Sequence, residues 1–571
     1  MAITKVTGSL LGNYTVGTSN VVVGNTAGDS LQSGGIDNTV VGDEAGTAIT
    51  TGRFNTLIGK AAGDALNDAD SNVAIGKGAL SSDTQGSQST AIGTLALTAQ
   101  NFTSATDAYN VAVGAEAGKA VTTGTDNTII GGLAGDASTT GAGNTFIGKE
   151  AGTSNTTGGD NVAVGKGSLK TNTTASNNIA IGKDALELNT TGAANVAIGN
   201  FALDSNTTAN DNVAIGHDAL QANTTGALNT AVGTSALGAN TTADSNNAFG
   251  RRALYTNTTG AQNTALGYLS LYLNTTASYN TSVGVSSMQS NTTGAKNTSV
   301  GYGALTSNTT GTENVVVGEV ALDSNTTGSY NTAIGRHSLS SATTASNNTA
   351  VGRNAMGDNT TGAGNTALGK DAGAAITTGA NNICIGIDCG DTTTTGDTNI
   401  LIGNTARASA SGGANQISMG VVVTCVGDNN FTFGNQGTDS NIAFGATSIT
   451  APSDIRLKED IQDEEVGLNF INDLRPVTFL WKKEKDIPSH FDSYKEGSEE
   501  RTMNGKHNHG FIAQEVKATI DAHNLKDGFE MWQENESDGR QRVAPAALMS
   551  VMVKAVQELS TQVDELKQEL I

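Results

Sequence analysis

Residues 179–195 read IAIGKDALELNTTGAAN, and this phrase is the unit from which most of the chain is built. From Gly114 onward its glycine returns every 17 residues, at Gly131, Gly148, Gly165, Gly182 and on to Gly403 and Gly420. Earlier copies centre on Gly24, Gly42, Gly59, Gly76 and Gly93, with small insertions, the largest of about four residues near 97–109, so that about 24 copies line up. After Gly420 the pattern shortens through NNFTFG, ending at Gly434, and SNIAFG, ending at Gly445. A fixed short period held over hundreds of residues specifies a solenoid in which each copy is one coil.

Each position in the coil has a job. Four residues before the glycine stands Asn, as in Asn161, Asn178, Asn195 and Asn212, with Ser89 and Gln416 as exceptions. A Val/Thr/Ile–Ala–Ile/Val triplet follows, a short strand by residue type. Alternation puts the Ile or Val before the glycine, and its partner two residues earlier, on one face, and the Ala between them on the other. Both faces are apolar, as in strands buried on both sides. The expectation is that one face fills the coil, while the Ala face, small enough for close approach, is covered by neighbouring chains in a trimer. The glycine supplies a positive φ and turns the chain. Ala185 and Leu186 form a second apolar patch, and Asn-Thr-Thr-Gly makes the opposite turn. Coils stacked about 4.8 Å apart pair their strands with each other, and Asn ladders add side-chain bonds. At that rise the coils build a rod on the order of 110 Å.

Composition narrows the function. Of 571 residues 72 are Gly and 4 are Pro, and Gly does not fall every third residue, which excludes collagen. Low charge density and plentiful small apolar residues argue against disorder. A net charge of −23 argues against a nucleic-acid groove or an anionic membrane surface. No apolar run approaches the roughly 20 residues of a membrane helix, so membrane insertion is not expected. The opening MAITKVTGSLLGNY lacks the pattern of a secretory signal. Cys384, Cys389 and Cys425 cannot make a disulfide framework and have no nearby His; the first two sit where other coils carry Ala and read as buried small residues. Neither metal nor cofactor is expected. Asp184, Glu187, Asp204 and Glu313 read as outward, solvated turn residues rather than the paired carboxylates of a glycosidase. The Thr190-Thr191 pairs read as turn and ladder residues rather than an ice-binding array. The repeated Asn-Thr-Thr reflects the repeat rather than a glycosylation site.

Near residue 450 the composition breaks. All four prolines (Pro452, Pro476, Pro488, Pro545) and both tryptophans (Trp481, Trp532) lie beyond it, and residues 453–571 hold 39 of the 85 charges. The domains are therefore a short N-terminal attachment segment, 1–18, a solenoid shaft, 19–448, and an ordinary globular domain, 449–571. That domain opens with Ser453-Asp454-Ile455-Arg456-Leu457-Lys458 and continues through LNFINDLRPVTFLWK (468–482) and HGFIAQEVKATI (509–520). It ends in a helix after Pro545, where Met552, Val556, Leu559, Val563, Leu566 and Leu570 repeat at alternating spacings of 4 and 3, a heptad seam suited to a coiled coil.

Two resemblances follow from these residues. The Asn-x-Ala-Ile/Val-Gly-x-x-Ala/Ser repeat resembles the head repeats of YadA-type trimeric autotransporter adhesins, which implies a trimeric parallel β-roll. The three C-terminal segments and the terminal seam resemble the intramolecular chaperone of phage tail spikes and fibres, the endosialidase-type chaperone or peptidase family S74. That resemblance implies a domain that trimerises, guides a β-rich fibre into register and then cuts itself off. It implies Ser453 as nucleophile, Lys458 as base and Pro452–Ser453 as the scissile bond, with Asp454 and Arg456 as supporting members of the motif. The hydroxyl–amine pairing is also sound chemistry: a Ser hydroxyl needs a base, and a Lys serves when burial or a nearby cation keeps it neutral. On spacing alone, Ser453-Asp454 reads first as a helix cap or turn after Pro452, and it is the resemblance that favours the catalytic reading.

The fold class expected is thus mostly β: a long trimeric solenoid of 17-residue coils, then a small α+β chaperone ending in a coiled-coil helix. The function expected is a phage tail fibre or spike, a self-cleaving homotrimer in the virion, made in the host cytoplasm. It would bind a host cell-surface receptor and join a virion adaptor through its N-terminus. A cellular trimeric adhesin of the YadA type and a glycan-degrading virion spike are the alternatives.

Overall fold

The structure, a computed structural model, describes residues 19–571 except 437, 526–528 and 536–537. The N-terminal attachment segment 1–18 lies outside the described residues. The chain divides into two compact units, Met1–Pro452 and Ser453–Ile571.

The first unit is a parallel β-solenoid. Its coil strands run from Val21–Val23 to Gln416–Val421, each paired with its copy in the next coil. The register is strict: Ile179 faces Val196, Ala180 faces Ala197 and Ile181 faces Ile198. The insertion near 97–109 is absorbed by an extra two-stranded pairing of Gly86–Ser87 with Thr106–Asp107. At the C-terminal end, NNFTFG continues the stack as the parallel strand Asn430–Asn435, whereas SNIAFG turns back, Ser440–Ala443 pairing antiparallel to it. That reversal ends the repeat.

Alternating backbone handedness lets each coil bond to both neighbours. In the coil of Gly182, φ is positive at Gly182 (138°), Asp184 (54°), Leu186 (52°) and Ala194 (56°). The N–H groups then point alternately: those of Gly182 and Asp184 donate to Val164 and Lys166 of the preceding coil, and those of Ile179 and Leu186 to Asn195 and Ala202 of the next. Gly182 is indispensable twice over. Its φ belongs to a region that only glycine occupies cheaply, and a Cβ there would lie 2.5 Å from Gly199 of the next coil. The opposite turn takes its left-handed residue at Ala194, two residues beyond the Thr-Thr-Gly glycine.

The facing of the strand reverses the expectation. Ala180, Ala197 and Ala214 point into the coil and are fully buried with Ala185 and Leu186, whereas Ile179 and Ile181 face outward, 36% and 38% exposed. The Ala ladder is therefore the coil's own interior, and the Ile/Val ladder is the face left open. Volume explains this. A 17-residue coil has little room: with Leu186 filling the layer, Ala180 keeps the strand side small, whereas Leu57 and Leu66 share a coil whose leucine position is Gly63. The exceptions show the same constraint: Phe146 takes the strand-centre position while glycine takes the leucine position in its coil, and a Cβ on Gly152 would sit 2.8 Å from the Phe146 ring.

Two Asn ladders line the buried corners. The Asn195 side chain donates to Asn178 (3.2 Å) and to the Ala209 carbonyl (2.9 Å), while its own oxygen accepts from the Asn212 N–H (3.0 Å). The Asn189 side chain donates to Asn172 (3.1 Å) and to the Gly192 carbonyl (2.9 Å). Thr190 is half-buried and donates its hydroxyl to the Thr207 carbonyl (2.9 Å), whereas Thr191 is exposed. The acidic turn residues are less solvated than expected: Asp184, Glu187 and Asp204 are half-buried, and only Glu313 is exposed. Cys384, Cys389 and Cys425 are buried free thiols, Cys384 at the Ala position opposite Ala367. A hydrogen bond with Cys389, together with burial, pushes the Cys384 thiol well above its ordinary range.

The second unit is α+β. Helices α1 (Leu468–Asp473), α2 (Ala513–Ala522) and α3 (Met549–Glu569) enclose a core that includes Phe470, Val516, Ile520, Met531, Leu548 and Val551. Val477–Phe479 pairs antiparallel with Asn508–Gly510, and Trp532–Glu534 with Gln541–Val543. Pro545 opens a short 3-10 turn, Pro545–Leu548, that leads into α3, where its missing N–H costs nothing. One side of α3 buries Val551 and Ala555, and Glu558 reaches back to accept the Leu468 N–H at the start of α1 (2.7 Å). The heptad residues lie on the other side, 42–86% exposed from Met552 to Leu570. Among the described residues no helix is long and apolar enough to cross a membrane.

Candidate functional site

The hexapeptide Ser453–Lys458 is built around one tight turn. Asp454 is extended (φ −73°, ψ 133°), and its carboxylate caps the 3-10 helix Ile455–Leu457 by accepting the Arg456 N–H (2.9 Å). The turn closes through Leu457 N–H to the Asp454 carbonyl and Lys458 N–H to the Ile455 carbonyl. One turn on, Lys458 comes back beside Ser453, and its Nζ donates to Ser453 Oγ at 2.8 Å. The helix cap and the Ser–Lys pairing, two readings open at the level of sequence, thus coexist.

Arg456 is committed elsewhere. Its Nε and Nη2 bind both oxygens of Asp454 (3.0, 3.1 and 2.5 Å), a fork on a carboxylate. The Arg456 guanidinium and N–H hold the Asp454 carboxyl below the usual range, and the carboxylate in turn raises Arg456. The pair braces the start of the turn, between its cap and its middle residue.

Pro452, Ser453 and Lys458 are exposed, and so are three large apolar residues around them, Ile455 (72%), Leu457 (70%) and Ile461 (61%). The motif alone draws attention to the polar residues. The apolar collar that alternates with them emerges only when its exposure is known. Glu558 is likewise invisible to the heptad analysis, because it lies off the seam. Among the described residues no group of three or more His, Cys, Asp or Glu side chains is placed to hold a metal ion.

A capped turn thus brings a lysine amine onto a serine hydroxyl at the first residues of a compact unit. Residues 453–525 match the peptidase S74 family, the chaperone of endosialidase. The C-terminal unit therefore opens with a chaperone-of-endosialidase domain, preceded by a solenoid of about 24 turns. No curated protein and no solved structure matches the chain.

Proposed function

We propose that three copies of this chain form a phage tail fibre or spike, with the solenoid as shaft and host-receptor-binding surface. Residues 453–571 align and fold the three chains, then cleave the Pro452–Ser453 bond. The observation that carries this reading is the 2.8 Å contact of Lys458 Nζ with Ser453 Oγ, at the residue where the family match and the second compact unit both begin. The trimer is supported by two apolar surfaces open on the single chain, the Ile/Val ladder of the shaft and the heptad face of α3. Segment 1–18 joins a virion adaptor, and the protein is made in the host cytoplasm for incorporation into the virion.

The chemistry balances within residues 452–458. Neutral Lys458 takes the Ser453 hydroxyl proton, and Oγ adds to the adjoining Pro452 carbonyl carbon. The C–N bond breaks, the Ser453 nitrogen gains a proton, and Pro452 is left as an ester on Ser453 Oγ. One water hydrolyses that ester, giving a Pro452 carboxylate and a free Ser453 amine. Attack on the neighbouring carbonyl needs no substrate binding, and such proximity contributes several kcal/mol. Ser453 and Lys458 are exposed in the single chain, so the reaction waits for burial. Packing of Ile455, Leu457 and Ile461 at the trimer interface supplies it and couples cutting to completed assembly.

Expression of the full chain, followed by mass spectrometry, tests this reading. Wild type yields one 119-residue fragment beginning at Ser453. Ser453→Ala stays whole and trimeric, and Lys458→Ala cuts slowly or not at all while still assembling. Release of the same fragment from Ser453→Ala overturns the Ser–Lys assignment, and a monomeric mass for the mature rod overturns the trimer.

A further inference from the structure

One stretch of the shaft breaks its charge pattern. Residues 1–452 carry 30 Asp and Glu against 16 Lys and Arg, yet from Ser245 to Thr312 there is no acidic residue at all. The same stretch holds Arg251, Arg252 and Lys296 and five of the nine tyrosines. The change falls on one corner of the coil. Two residues after the coil glycine other coils carry a carboxylate, as in Glu116, Glu150 and Asp184; here that place is Arg252. Five residues after it they carry Asp136, Glu187, Asp204 or Asp323; here two successive coils carry Tyr255 and Tyr272.

The arginines and tyrosines just after the coil glycines Gly250 and Gly267 pack in pairs. The Tyr255 and Tyr272 rings stack at 5.7 Å with an interplanar angle of 10°. Arg252 lies over the Tyr255 ring and Arg251 over Tyr268, each 5.7 Å from the centroid. Gly238, at the same corner one coil earlier, leaves room for the Tyr255 ring; a Cβ there would meet it at 2.9 Å. Among the described residues neither guanidinium forms an ion pair; both arginines are exposed, and Tyr268 is 42% exposed. Stacking on a phenol ring leaves the edge N–H donors of a guanidinium free for a second partner.

We infer that this band is a binding site for acidic carbohydrate. A sugar carboxylate or sulfate is met by the arginine forks, and the apolar C–H face of the ring lies on the phenols, whose hydroxyls reach the sugar's rim. A few cations on an otherwise acidic rod suit a compact charged sugar, not a nucleic-acid backbone, which needs a long basic track. The inference rests on the fibre reading and names the chemistry of the surface the fibre touches.

Cleaved wild-type protein is applied to an array of carboxylated, sulfated and neutral oligosaccharides, and the best-retained one is titrated by calorimetry. The expected result is retention of acidic glycans, with affinity falling at least tenfold in Tyr272→Ala and in Arg252→Gln, which keeps side-chain length. Lys60→Ala, outside the band, binds as wild type. Retention of neutral glycans only, of none, or equal affinity in variants of unchanged melting temperature overturns the site. Mass and cleavage of the same preparation report separately on the fibre reading: an intact, cleaved trimer that binds no acidic glycan sinks the band and leaves that reading standing.

Discussion

Phe146 and Gly152 show how single residues are held to account by a coil only 17 residues long. Phenylalanine at a position that is Ala in most coils fits because Gly152 occupies the place of the usual leucine. Phe146→Ala empties a sealed interior and is expected to cost about 3–5 kcal/mol per chain. Adding Gly152→Leu restores the common coil and should recover most of that loss, since Leu adopts the same positive φ at Leu186 and Leu203 (52° and 51°) that Gly152 has (60°). Thermal unfolding of the single and double variants checks the coupling; equal melting points for both would refute it. Gly233 tests the turn. At φ 133°, with a prospective Cβ 2.7 Å from Gly250, Gly233→Val is expected to cost at least 1–3 kcal/mol per chain by order of magnitude, read as a lower melting temperature and faster trypsin cleavage.

At the scale of the element, the ladder is the unit of behaviour. Asp64, Asp136, Asp204 and Asp323 share one corner position, and burial raises the pKa of each, with Glu44 adding to the effect at Asp64 and Glu116 at Asp136, where Lys119 opposes it. Three of them keep a buried Oδ1 that meets no partner among the described residues. A carboxyl whose folded pKa lies above its unfolded one binds its proton more tightly in the fold. Its contribution is complete below the ordinary carboxylate range and is lost as pH rises through the raised folded value. The melting temperature of the cleaved rod should therefore rise as pH falls from neutral toward that range, and fourfold Asp→Asn substitution should flatten the rise. Asp43 and Glu150, lowered by lysine partners, pull the other way, but both are half-buried at the surface, where solvent screens the pairs. The period, the strand triplets, the Asn ladders and the turn glycine were legible because each recurs in register. The facing of the strand was not. A triplet apolar on both sides carries no polar marker of its outer face, and only the volume of the closed coil decides that Ala180 goes in and Ile181 stays out. At the site, the polar motif was legible, whereas the collar of Ile455, Leu457 and Ile461 looked like ordinary strand or helix residues.

On the scale of the whole molecule the difficulty is register. If three shafts pack along their Ile/Val ladders, a slip of one coil preserves nearly every contact, because the coils repeat the same residues at the same height. Local energetics then discriminate weakly between the correct alignment and its neighbours, and the open apolar ladders favour aggregation in the meantime. A C-terminal unit that trimerises first fixes the alignment at one end and lets the coils zip from there. In the proposed fibre its removal would leave a rod with no means of finding register again, so that stability would become a matter of unfolding rate rather than equilibrium. Cleaved wild type and uncleaved Ser453→Ala separate these roles. Both should hold together on heating, since the shaft contacts are the same. After complete unfolding in denaturant and dilution, Ser453→Ala, which retains its chaperone, should regain the trimer, whereas the cleaved shaft should precipitate or return as mixed species. Size-exclusion chromatography with light scattering reads the outcome. Equal recovery of trimer from both would mean that the coils carry enough register information on their own, and that residues 453–571 are not required for alignment.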